Sequence, residues 1–197
     1  MKKRIVLFAS GSGSNVEIII KYFSNSCEFE FPFIISNRPE AYVHERAKNL
    51  MIPSYVFKKD EFENGTVLKF LQEREIDLIV LAGFLLKIPV NILDEYPDRI
   101  INIHPALLPK FGGKGMYGSR VHEAVVASGE KETGITIHFV NENYDEGRII
   151  FQAKCPVFPE DSPDDVAAKV HALEYEHFPR VVGEVALGCF CRHTEKT

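Results

Sequence analysis

Cysteine is scarce in this sequence: Cys27, Cys155, Cys189 and Cys191 are the only four in 197 residues, and none forms a C-x-x-C pair. That spacing excludes a zinc ribbon or a thioredoxin-type motif and suits reduced thiols in the cytoplasm, with only Cys189 and Cys191 leaving a metal or redox role open. No apolar run approaches the ~18 residues of a membrane span. The basic start Met1-Lys2-Lys3-Arg4 precedes an apolar run over residues 5–9 that Gly11 interrupts. The run falls short of the ~7–15 residues of a signal peptide, and a cytoplasmic location is expected. Basic charge is also lacking: Lys and Arg total 23 against 28 Asp and Glu, a net of −5. This balance argues against partnership with nucleic acid or an anionic membrane and leaves room for a local basic site. There is no G-x-S-x-G elbow to present a serine nucleophile. His122-Glu123 has no second histidine in H-E-x-x-H register, so no metal is expected.

What the chain does have is alternation. Short β-branched or aromatic runs at residues 4–10, 29–36, 54–57, 78–82 and 100–104 are separated by helical patterns at 15–23, 40–50, 60–74 and 90–95. Such alternation predicts a mostly parallel twisted sheet with crossover helices on both faces. The run Leu78-Ile79-Val80-Leu81-Ala82 is continuously apolar, as expected of a strand buried on both sides. After Pro105 a glycine-rich stretch over residues 111–118 leads to a helix at 119–128. Two runs at 134–141 and 148–156 then predict an antiparallel strand pair. Ser162-Pro163-Asp164-Asp165 combines a cap, a first-position proline and an acid, and predicts a helix to about Leu187. The expected organisation is one α/β domain over residues 1–197.

The first strand ends in Ser10-Gly11-Ser12-Gly13-Ser14-Asn15, directly before a helix. Glycines there let backbone N–H groups approach an anion, so a phosphate is the natural ligand. Two other readings stand beside it. One is a tight turn capped by Ser14 or Asn15. The other is a dinucleotide site with Arg38 reading a 2′-phosphate, although its third glycine position holds Val16.

At the end of the fifth run, Asn102 and His104 project to one face of an extended strand, where open parallel sheets gather their ligands. With Asp145 from a later loop, they form an amide, an imidazole charged by its carboxylate partner, and that carboxylate. The set suits acyl-type transfer through an oxyanion.

Four segments carry a family resemblance: Ser10-Gly11-Ser12-Gly13-Ser14-Asn15, Leu81-Ala82-Gly83-Phe84, residues 102–109 from Asn102 to Pro109, and residues 134–140 continuing to Asp145-Glu146-Gly147. In order and spacing they resemble the folate-dependent formyltransferases. The resemblance implies a single-domain, Rossmann-like formyltransferase fold, with a ribonucleotide-binding half over about 1–100 and a folate-binding, catalytic half over about 101–190. It implies transfer of a formyl group from 10-formyltetrahydrofolate to the primary amine of glycinamide ribonucleotide, in purine synthesis. It also implies catalysis by Asn102, His104 and Asp145, and phosphate binding by Gly13, Ser14 and Asn15. The rest of the ribonucleotide would meet His171 and Glu174. Folate would lie along Leu85, Leu86, Lys87 and Ile88 and along Asn141, Glu142, Asn143, Tyr144 and Asp145, with Lys58 and Lys59 as candidate basic contacts. Read without the family, Glu174 belongs on a solvated helix face. Alternatives are a formyltetrahydrofolate deformylase-like enzyme or an NADP-type redox protein. The expected assembly is a monomer or weak homodimer that binds only small molecules.

Overall fold

Ile5, Val6, Leu7, Phe8 and Ala9 are wholly buried. Side chains alternate along a strand, so Ile5, Leu7 and Ala9 enter one hydrophobic cluster while Val6 and Phe8 enter another. The computed structural model describes residues 1–189, so Cys191 lies outside the described residues. Its elements are β1 (Lys3–Phe8), α1 (Ser14–Tyr22), β2 (Phe29–Glu30), β3 (Ile34–Ser36), α2 (Val43–Asn49), β4 (Ser54–Val56), α3 (Lys59–Glu63) and α4 (Thr66–Gln72). There follow β5 (Leu78–Leu81), α5 (Val90–Glu95), β6 (Ile100–His104), α6 (Ser119–Ala127), β7 (Glu132–Phe139), β8 (Ile149–Pro156) and α7 (Pro163–Ala186).

The strands form one sheet in the order β4-β3-β1-β5-β6-β7-β8, with β2 also pairing β1. All pairings through β6 are parallel, and β6–β7 and β7–β8 are antiparallel. Helices cover both faces. Val16 and Ile19 of α1, Val43 of α2, Val125 of α6 and Val170 and Phe178 of α7 pack on one side. Phe62 of α3, Leu71 of α4 and Ile92 of α5 pack on the other. This is the expected α/β architecture. Among the described residues, no helix is long and apolar enough to cross a membrane.

Two expected elements are each broken in two, for local reasons. The run at 29–36 splits into β2 and β3 around Pro32, which lacks an N–H to give to a neighbouring strand. The helix expected at 60–74 divides at Asn64-Gly65. Gly65 takes φ 87°, and the Asn64 Oδ1 accepts from the Thr66 N–H at 3.0 Å, restarting the helix as α4.

The start of α7 follows the sequence signal. The Asp165 N–H donates to Ser162 Oγ at 3.2 Å, and Asp165 Oδ2 accepts from the Ser162 N–H at 2.9 Å. Ser162→Ala should therefore lower stability by about 1 kcal/mol, read as a shift of the urea midpoint without a change in slope.

The sheet order changes direction between β1 and β5. Successive strands step outward from β1 through β3 to β4, then resume on its other side with β5 and β6. The loops after β1 and β5 consequently leave in opposite directions and open a crevice at the carboxyl ends of the strands.

Candidate active site

The crevice is a cleft of about 1020 Å³. At one end Ser10 ties the two loops together. Its N–H donates to Gly83 O at 3.0 Å, its hydroxyl accepts from the Leu85 N–H at 2.9 Å, and the same hydroxyl bonds Asn37 Oδ1 at 2.6 Å. Gly13, in the left-handed region at φ 72°, is the N-cap residue of α1, and no side chain caps the helix. This corrects the turn capped by Ser14 or Asn15. Asn15 instead sends its Nδ2 to Glu174 Oε2 at 2.9 Å, leaving the first-turn N–H groups of α1 without a side-chain acceptor. Val43 occupies the space where a Gly13 Cβ would lie, so the loop passes tightly under α2. The Arg46 Nε–H donates to Ser12 O at 2.8 Å, which further fixes the loop. Arg38, Lys87, Lys114 and Arg120 line the cleft, but so do Glu123, Asp145, Asp164 and Glu174. With acids and bases in balance, the open helix terminus is the feature of the cleft suited to an anion.

At the other end stand the polar groups of β6. Asn102 and His104 lie on the same side of the strand, and antiparallel pairing sets His138 of β7 directly opposite Asn102. The His138 Nδ1–H donates to Phe139 O at 2.8 Å, and its Nε2 meets the Asn102 amide at 3.1 Å. Asn102 is thereby held in one orientation. The His104 Nε2–H donates to Phe111 O at 2.8 Å, which turns Nδ1 toward Asp145 Oδ2, 3.6 Å away. Asp145 also faces His138 Nε2 at 3.6 Å and accepts from the Gly113 N–H at 2.9 Å. Its backbone is left-handed at φ 57°, uncommon for a residue other than glycine. Residues in such conformations cluster at functional sites.

Burial and charge compete at this cluster, with different outcomes. Burial lowers the pKa of His104 below its ordinary 6.5, against the pull of Asp145 and the Phe111 carbonyl. Burial thus works against the expected charging of the ring by Asp145: desolvation outweighs an ion pair 3.6 Å long. For Asp145 burial would raise the pKa, but His138, His104 and the Gly113 N–H together bring it below 3.8.

The histidines also set a stability profile. His104 and His122 are held below 6.5, chiefly by burial, so the unfolded chain binds protons that the native rings refuse. Their contribution is complete above about pH 6.5 and declines as pH falls toward the native values, by at most about 1.4 kcal/mol per pH unit for each ring. His171 is raised, mainly by its bond to Glu174. Its contribution is present below 6.5 and lost as pH rises through the native value. Thermal melts between pH 7.5 and 5.5 should show net destabilisation in acid, with a shallower slope in His104→Asn.

His171 and Glu174 extend the site along α7. Glu174 is only 5% exposed, so the solvated-face reading is overturned. It continues the buried row Val166, Val170, Glu174 and Phe178, whose four-residue spacing was visible in the sequence. Its Oε2 accepts from His171 Nδ1 at 2.9 Å as well as from Asn15, joining the last helix to the glycine loop.

Gly13, Ser14, Asn15, Leu85, Leu86, Lys87, Ile88, Asn102, His104, Asn141, Asn143, Tyr144, Asp145, His171 and Glu174 all line the one cleft. Lys87 Nζ lies 5.8 Å over the Tyr144 ring, so the segments around 85–88 and 141–145 face each other. Glu142 is exposed and does not line the cleft. Lys58 and Lys59 do not line it either, and Lys59 pairs with Glu63 at 3.3 Å. Sequence reasoning missed His138, because its role depends on the β6–β7 register. It considered His122 only as part of a failed zinc motif. Among the described residues, no group of His, Cys, Asp or Glu could hold a metal. Cys27 and Cys189 are exposed and Cys155 is half-buried, all unpaired.

A doubly wound sheet with an uncapped helix terminus at one end of its cleft and an amide, an imidazole and a carboxylate at the other defines a group-transfer enzyme. The formyl transferase family model matches residues 3–182, and the chain belongs to that family. It is 39% identical over 191 residues to a chloroplastic phosphoribosylglycinamide formyltransferase of Arabidopsis thaliana, covering 93% of this chain and 65% of that protein. It is 38% identical over 186 residues to the phosphoribosylglycinamide formyltransferase of Haemophilus influenzae, covering 91% of this chain and 85% of that protein. Among solved structures, phosphoribosylglycinamide formyltransferase from Streptococcus pneumoniae superposes with a TM-score of 0.82 at 38% identity, covering 94% of this chain and 99% of that one.

Proposed function

We propose that the protein transfers the formyl group of 10-formyltetrahydrofolate to the primary amine of N1-(5-phospho-D-ribosyl)glycinamide, a step of de novo purine synthesis. The observation that carries this reading is the meeting of the open α1 terminus with Asn102, His104 and Asp145 in one cleft. The N-terminal half supplies the phosphate loop over Gly13, Ser14 and Asn15, and the C-terminal half supplies the reacting groups. Residues 85–88 cross to the formyl-donor side, and His171 and Glu174 cross to the ribonucleotide side. The donor fits between the 85–88 and 141–145 segments, where Leu85, Ile88 and Val140 offer apolar walls to a flat heterocycle and backbone groups offer hydrogen bonds.

In this reading the neutral amine attacks the formyl carbon while the cleft holds both partners in line. The Asn102 amide, oriented by His138, donates to the formyl oxygen as negative charge builds on it. His104 takes up the amine proton at Nδ1, the nitrogen left bare when Nε2–H bonds Phe111 O, Asp145 stabilises the imidazolium, and the proton passes on to N10 of the folate as the formyl carbon–N10 bond breaks and tetrahydrofolate leaves. Neither a metal nor a covalent enzyme intermediate is invoked. We place the protein in the cytoplasm, acting on small molecules without nucleic acid or membrane.

The test is incubation with 10-formyltetrahydrofolate, with and without the ribonucleotide, followed by folate absorbance. Formyl loss that depends on the ribonucleotide is expected. Rapid loss without it would indicate a deformylase, and NADPH binding with no transfer would indicate a redox protein.

A further inference from the structure

The glycine loop is held from behind by α2. The Val43 N–H donates to Gly11 O at 3.1 Å, and the Arg46 Nε–H donates to Ser12 O at 2.8 Å. Both peptides are trans, and a trans peptide is planar, with its C=O and N–H pointing in opposite directions. Two successive carbonyls turned toward α2 therefore send the next two N–H groups, those of Ser12 and Gly13, the other way. Ser12 and Gly13 both line the cleft, and neither N–H donates to a protein group among the described residues. We propose that Arg46 is a positioning residue for the ribonucleotide phosphate: from outside the cleft it sets the Ser12–Gly13 peptide so that the Gly13 N–H faces the phosphate together with the open N–H groups of α1. This inference rests on the function proposed above.

The surroundings of Arg46 fix its guanidinium in place. It lies over the Tyr42 ring at 5.2 Å, and its Nη1 meets the Glu17 carboxylate. Glu17 stands in the first turn of α1 and also accepts from Lys21 Nζ at 2.5 Å. An acid in that turn repels an anion arriving at the helix terminus, and the guanidinium offsets its charge. The planar fork bonds Ser12 O through Nε and Glu17 through Nη1, and a lysine ammonium has a single nitrogen to divide between the two. Arg46 itself is not among the residues that line the cleft. It acts through the Ser12 carbonyl, and its own charge is already paired with Glu17.

Arg46→Met keeps the stem and removes both bonds, and Arg46→Lys keeps one. Inorganic phosphate is the probe, titrated against the backbone amide NMR signals of Ser12 and Gly13. Those signals should move in the wild type. Phosphate should bind about tenfold more weakly to Arg46→Met, as for one lost hydrogen bond, and about threefold more weakly to Arg46→Lys. KM for the ribonucleotide should rise by the same factors, while kcat and KM for the formyl donor stay within about twofold of the wild type. Arg180→Met controls for the loss of an ion pair as such: Arg180 bonds Glu184 at 2.6 Å, lies over the Phe151 ring and does not line the cleft. That variant should leave the ribonucleotide KM unchanged. An unchanged ribonucleotide KM in both Arg46 variants, an equal rise in Arg180→Met, or wild-type Ser12 and Gly13 signals that phosphate does not move would each overturn the proposal. Phosphate binding at Gly13 that depends on Arg46, in a protein that does not formylate the ribonucleotide, would overturn the proposed function and leave the role of Arg46 standing.

Discussion

Replacing His104 by alanine should lower kcat about 10³-fold, with KM for either substrate changed by no more than a few-fold. General acid–base catalysis by a placed imidazole contributes roughly 10²–10⁴ in rate, and a thousandfold loss corresponds to about 4 kcal/mol of barrier. The loss should fall on kcat because the proposed proton transfer at Nδ1 occurs only on the way to the transition state. Asp145→Asn should also fall sharply in kcat, since the amide keeps the size of the side chain but offers His104 no charge at the 3.6 Å contact. Both variants disturb the segment after β6, because His104 holds Phe111 O and Asp145 accepts from Gly113 N–H. Melting curves should accompany the kinetics. Turnover of His104→Ala within tenfold of the wild type, in a folded protein, would remove His104 from the mechanism.

Gly13→Val should raise KM for the ribonucleotide at least about 100-fold and lower stability by roughly 3 kcal/mol. Two effects combine. The backbone at φ 72° is strained for a β-branched residue, and a Cβ at Gly13 would lie 2.5 Å from Val43 Cγ2 and 2.7 Å from its Cβ. The Val43 Cα, at 3.0 Å, belongs to the main chain and cannot swing aside. The α1 terminus must then move, and with it the N–H groups that face the proposed phosphate site. Affinity for the formyl donor should change little, because its proposed segments lie beyond the Ser10–Gly83 and Ser10–Leu85 ties. Gly11→Ala is the control: a Cβ there meets nothing within 4 Å, so stability should hold. Val43→Ala in the Gly13→Val background should recover part of the lost stability and less of the lost affinity. Unchanged ribonucleotide KM in folded Gly13→Val would show that the phosphate does not sit at this turn.

Some of this site is legible residue by residue. The glycine pair ending a buried strand, and Asn102 and His104 on one strand face, are local patterns governed by strand periodicity and turn geometry. The row Val166, Val170, Glu174 and Phe178 is equally local, and reading its period would have placed Glu174 inside. His138 is different. Its bond to Asn102 depends on β7 pairing antiparallel to β6 in one register, across a separation of 36 residues. Nothing near His138 in the chain records that pairing.

The sequence by itself determined the alternating α/β plan, the glycine turn after β1, the capped start of α7 and the identity of the polar groups at the end of β6. Each depends on periodicity, turn chemistry or capping, which act over a few residues. Only the tertiary structure decided the direction in which the His104 pKa moves, because burial is a property of packing and here outweighs a nearby carboxylate. It alone also brought Asn15, His171 and Glu174 into one hydrogen-bonded group, and left His122 buried on the cleft wall with an unpaired nitrogen. Those arrangements join α1, α6 and α7, elements far apart in the chain that meet only because they cover the same face of the sheet.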